Sequence, residues 1–102
     1  MSITPERFRK KPVTIEAVQT AIPGTGMTWT DDEADEALAH NQEIVDWIRG
    51  HGGVAEAGVN YIEIETLEGA MKARPGGWII RGLAGEFYPC AHDIFVESYE
   101  RA

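Results

Sequence analysis

The chain predicts an α+β fold, with one main helix packed on a twisted antiparallel sheet of five to six short strands that could curl into a partly open barrel. Three observations carry this expectation. Apolar residues recur at helical spacing from Ala34 to Ile48. Short strand-like runs joined by Gly-containing turns fill Asn60 to Glu100. Val13, Ile15 and Ala17 alternate with Thr14 and Glu16, the period of a half-buried strand.

A length of 102 residues fits a single domain, 1–102. Residues 1–11 read as a frayed basic N-terminus. Pro12 opens the first strand, where no ladder donor is needed. Pro23, Gly24 and Gly26 make 21–30 a mobile loop. Thr30-Asp31-Asp32-Glu33 has capping-box spacing, and three acids in the first turn suit the helix dipole. The helix is expected over 42–50 and back to 31; His40-Asn41 interrupts the stripe, and Asn41 could cap a second, shorter helix. Gly50, Gly52 and Gly53 stop it.

Val54 to Val59 reads as a connection into the β-meander of 60–100. Ile62 and Ile64 point one way, and Leu67-Glu68-Gly69 turns the chain into a return strand in which Met71 and Ala73 share a face. Arg74-Pro75-Gly76-Gly77 places Pro and Gly at the centre of a type II turn. Trp78-Ile79-Ile80 is apolar on both faces, so this strand is central or covered. Gly82 and Gly85 bracket another turn, Phe87 is a core residue, and Pro89 confines its strand to an edge or a bulge. Asp93 to Tyr99 closes the sheet, pairing with the strand after Pro12.

Composition excludes several classes. One cysteine, Cys90, can form neither an internal disulfide nor half of a Cys-rich zinc site. The net charge of −8 disfavours generic nucleic-acid binding. An acidic surface also suits a nucleic-acid mimic, but acidic soluble domains are common. No apolar run could span a bilayer and no signal peptide is visible, so no membrane partner and a cytoplasmic location in a bacterial host are expected. The charge is uneven: Arg7, Arg9, Lys10 and Lys11 form a basic run, simplest as a solvated approach to the first strand, and Asp31 to Asp46 is acid-rich.

Phe8-Arg9-Lys10-Lys11-Pro12-Val13, Ile15-Glu16-Ala17-Val18-Gln19, Thr66-Leu67-Glu68-Gly69, Pro75-Gly76-Gly77-Trp78-Ile79-Ile80, Gly85-Glu86-Phe87-Tyr88-Pro89-Cys90 and Asp93-Ile94-Phe95 form a set of motifs. This set resembles a family of small phage and prophage proteins, the group named for a Pro-Gly-Asp-Tyr-Gly motif. The resemblance covers about the first 20 residues and 60–100, and it implies a phage or actinobacterial prophage origin without an activity. The chain has Gly77 where that family usually has Asp, and Thr20 where an aromatic residue commonly follows Val-Gln. The Pro-Gly pair therefore reads as turn chemistry.

The densest polar cluster is Glu86, Tyr88, Cys90, His92 and Asp93. Cys90 and His92 are metal-competent types that Glu86 or Asp93 could complete; the simpler reading is a small buried Cys90 and a turn at His92-Asp93. A Cys90/His92 nucleophile pair lacks an orienting group and an oxyanion site. Gly24-Thr25-Gly26 lacks the context of a phosphate loop. Trp47 and Trp78 read as core residues, whereas Trp29 sits in the loop, where exposure would favour binding.

The expectation is therefore a non-enzymatic binding module for a host protein or small ligand, with Trp29, Arg74, Arg81, Tyr88 and His92 as candidate ligand-binding residues and no cofactor or metal. Phosphates could meet Arg7, Arg9, Lys10, Lys11, Arg74 or Arg81. One alternative is a small metal-binding or enzymatic domain using Glu86, Cys90, His92 and Asp93. Another is a structural module that forms homo-oligomers by pairing an edge strand between subunits.

Overall fold

The computed structural model describes residues 3–9, 11–23 and 28–102. Residues 24–27, which hold much of the expected mobile loop and all of Gly24-Thr25-Gly26, lie outside them, as do Met1, Ser2 and Lys10 of the basic N-terminus. The elements run β1 (Glu16–Gln19), α1 (Asp31–Gly50), β2 (Ala55–Ala57), β3 (Ile62–Thr66), β4 (Gly69–Ala73), β5 (Trp78–Arg81), β6 (Phe87–Cys90) and α2 (His92–Ser98). The architecture is α+β, with one long helix. Among the described residues, no helix is long and apolar enough to cross a membrane.

The expected single sheet gives way to two antiparallel sheets of three strands, ordered β1-β5-β6 and β2-β3-β4, and neither closes into a barrel. The split falls at the 74–77 turn. Gly76 there has φ 80° and the Gly77 N–H donates to the Arg74 carbonyl at 2.9 Å, as a type II turn requires. The chain leaves β4 through this turn into a different sheet. β6 then lies against β3 and β4, which joins the two sheets.

α1 is one continuous helix. Thr30 caps it through a complete capping box with Glu33. It ends in a Schellman arrangement, with Gly53 N–H on the Ile48 carbonyl at 2.9 Å and Gly52 N–H on the Arg49 carbonyl at 3.0 Å, and φ 86° at Gly52. Asn41 does not cap a second helix. It is fully buried, accepting from Ala21 N–H at 3.0 Å and donating to the carbonyls of Gly58 at 2.9 Å and Val59 at 3.2 Å. The break in the apolar stripe is therefore a polar tie between the helix and two loops.

The core lies between α1 and one face of each sheet: Ile44, Val45 and Ile48 meet Ile62, Ile64, Ile79 and Phe87. Trp47 packs edge-on to Phe87, ring centroids 5.2 Å apart. β5 is the central strand of its sheet, and Ile79 and Ile80 are both buried, as its two-sided apolar pattern predicts.

Three further expectations are corrected. The first strand begins at Glu16 rather than Val13, and it pairs with β5, not with the C-terminal segment. The 54–59 connection contains β2, which pairs with β3. Asp93–Tyr99 is not a strand: residues 92–98 form α2, because Phe95 and Tyr99, four apart, then stack at 5.1 Å on one side of a helical turn.

Candidate functional site

Among the described residues, a larger and a smaller concavity lie beside the β1-β5-β6 sheet. The larger, of ≈ 670 Å³, is an outer groove between α2 and the extended chain leading into β1. Val13, Thr14, Ile15 and Ala17 line it, while Val18 packs on the core. Its aromatic wall is a stack: Trp78 and Phe95 lie 4.1 Å apart and 8° from parallel, and Phe95 continues to Tyr99. Trp78 is thus half-buried in this outer stack rather than part of the main core.

The smaller cleft, of ≈ 340 Å³, opens where the 71–77 turn region faces the junction of β6 and α2. Arg74, Pro75, Pro89, Cys90 and His92 are among its lining residues. The turn is held by neighbouring backbone: Thr20 N–H donates to Gly77 O at 2.8 Å, Thr20 Oγ1 to Arg74 O at 2.9 Å, and Gln19 Nε2 to Gly76 O at 3.0 Å. His92 is oriented by Trp78, whose Nε1–H donates to Nδ1 at 3.1 Å, with Gln19 Nε2 at 3.4 Å from the same atom. The Trp78 indole can only donate, so Nδ1 carries the lone pair and Nε2 the proton.

The cleft therefore brings together two candidate ligand-binding residues, Arg74 and His92. The other three lie elsewhere. Arg81 forms a cross-strand ion pair with Glu16 at 3.0 Å. Trp29 is half-buried just before the α1 cap and lines neither concavity. Tyr88, on β6, sits beside Tyr99; burial first, then Tyr99 and the Glu86 carboxylate, push its phenol up to about 12.

Cys90 and His92 share the smaller cleft, whereas Glu86 and Asp93 are not in its lining. Among the described residues, no three His, Cys, Asp or Glu side chains are placed to hold a metal ion. The Glu86 carboxylate packs on Gly82, where a Cβ would meet it. Burial, then the Asp93 carboxylate, push the Cys90 thiol up, and it donates to the Ala91 carbonyl at 3.6 Å. A thiol held protonated is a poor nucleophile. Gln19 and Thr20, which brace the 74–77 turn, and Phe95, which lines the outer groove, carry no local signal of those roles beyond the four-residue spacing of Phe95 and Tyr99.

Comparison with protein families, curated proteins and solved structures finds no match for this chain.

Proposed function

We propose that this chain is a non-enzymatic phage accessory protein that binds a small anionic ligand in the cleft between Arg74 and His92. The observation that carries the reading is the meeting of these two residues in one concavity of ≈ 340 Å³, within the size range of small-molecule sites. Arg74 supplies a permanent positive charge with a forked set of donors suited to phosphate or carboxylate. His92, with Nδ1 engaged by Trp78, presents Nε2–H as its remaining donor. Phage origin rests on the motif resemblance, and binding without catalysis fits the protonated Cys90 thiol.

The test is a calorimetric titration with inorganic phosphate and with nucleoside mono- and diphosphates. Saturable binding is expected, weakened about tenfold or more by Arg74→Glu, the equivalent of one charge-assisted contact. Heat no different from buffer, or an Arg74→Glu variant that binds equally well, would sink the reading.

A further inference from the structure

The cleft of Arg74 and His92 holds a second cationic residue. Lys72 also lines it, and no Asp or Glu does. The chain as a whole has 17 acids against 9 Lys and Arg, so an acid-free lining departs from its average surface. Asp93 follows His92 directly but lies outside the lining. Lys72 near the end of β4 and Arg74 just after it are both exposed, whereas Ala73 between them is buried, so the two cations fall on one face.

Neither charge is neutralised within the chain. Among the described residues, Lys72 and Arg74 form no ion pair. Lys72 stands opposite Glu63 in the β3–β4 register, yet its ammonium rests over the Tyr61 ring, 4.9 Å from the centroid. Tyr61 is outside the cleft lining. An exposed cation–π contact of this kind is weaker than a charge-assisted hydrogen bond to an oxyanion. The flexible four-carbon stem of lysine lets the ammonium exchange one for the other.

We propose, resting on the anion-binding reading of this cleft, that its ligand is a phosphate monoester and that Lys72 leaves Tyr61 to complete the site when the ligand binds. A carboxylate brings one charge and two oxygens, which the forked Arg74 guanidinium satisfies alone. A phosphate monoester brings about −1.5 to −2 charges and three terminal oxygens. The guanidinium takes two of those oxygens, and Nε2–H of His92 is the donor for the third. The second negative charge is then matched by the Lys72 ammonium. A phosphate diester, with one charge and two free oxygens, ranks with the carboxylate.

Calorimetric titration of the full chain with glycerol 3-phosphate and with glycerate, similar small bodies carrying different anions, tests it. The monoester should bind about tenfold or more tighter than the carboxylate. Lys72→Gln should abolish most of that preference, and Lys72→Arg should keep it. Lys72 is exposed, so both variants should retain the wild-type circular dichroism. Saturation with glycerol 3-phosphate should also shift the Tyr61 ring resonances of the wild type, which report departure of the ammonium because Tyr61 does not line the cleft. Equal affinity for the two anions, a preference that survives Lys72→Gln, or Tyr61 resonances unmoved at saturation overturns the inference and leaves the anion site standing. Failure of either anion to bind removes the anion site and the inference together.

Discussion

Trp78 donates its indole N–H to Nδ1 of His92 at 3.1 Å, with the two rings 12° from parallel. One tautomer of His92 follows, protonated on Nε2 alone, and long-range ¹H–¹⁵N spectra of the folded protein should show it. His92→Phe preserves a flat ring but leaves the indole N–H without this acceptor. At an exposed site the expected loss is about 0.5–1.5 kcal/mol, read from a denaturant midpoint. A variant as stable as wild type, or a mixture of tautomers, would remove the hydrogen bond from the account of α2 docking.

Asn41 satisfies three backbone groups from within the protein interior. Asn41→Leu keeps its branching but leaves Ala21 N–H and the carbonyls of Gly58 and Val59 unpaired. The expected cost is roughly 2–4 kcal/mol, because orphaned buried groups lose their full solvation. Urea unfolding should show a lower midpoint with an unchanged slope. A cost below about 1 kcal/mol would mean that water replaces the amide.

Gly50 and Gly53, three residues apart, should respond to alanine in opposite ways. A Cβ at Gly50, the last residue of α1, would meet nothing within 4 Å, so Gly50→Ala should stabilise by roughly 0.5 kcal/mol through helix propensity. A Cβ at Gly53 would stand 2.5 Å from Ile48 Cγ2 and 3.1 Å from Phe87. Both neighbours are buried, so Gly53→Ala should destabilise by about 1–3 kcal/mol. Paired thermal melts decide, and a shift of the same sign in both would refute the packing described around the helix end.

Tyr88 sets a pH dependence. Its phenol rises from 10.0 in the unfolded chain to about 12 when folded, so between these values the native state holds a proton that the unfolded state has released. Its contribution is intact below about pH 10 and is lost as pH climbs toward about 12. Cys90, also pushed up from its value of 9.0, acts with the same sign from lower pH. Tyr88→Phe should flatten the alkaline fall in the guanidinium midpoint. An unchanged slope would assign it to other groups.

Local chemistry made part of this fold legible. The capping box at Thr30 and the type II turn at Arg74–Gly77 each reside within four consecutive residues, and the covered strand at Ile79-Ile80 announces itself by being apolar on both faces. What stayed hidden is non-local. Nothing in Glu16–Gln19 names β5 as its partner, and nothing near Pro75 says that the next strand joins another sheet. β2 reads Ala-Glu-Ala, without the β-branched residues that mark strands, and α2 is too short for a helical period to show. Asn41 resembled a helix cap because caps and buried ties use the same amide. At the site, Arg74 and His92 were both visible as chemistry, but their meeting depends on the β5–β6 hairpin that separates them in sequence.

The bonds from Gln19 and Thr20 to the 74–77 turn have a bearing on the order of assembly. Gln19 and Gly76 are 57 positions apart, and Glu16 and Arg81 are 65 apart. Closing loops of that length costs chain entropy before any contact repays it. During synthesis β1 emerges first yet has no partner strand until β5 has followed, long after α1 can form. Among the described strands, β1 therefore stays unpaired until β5 has been made, and Val18 lacks its partner Ile79 until then. Moving residues 3–20 to follow Ala102 through a short flexible linker would shorten the β1–β5 separation, and faster refolding of such a permuted chain would show what that loop closure costs.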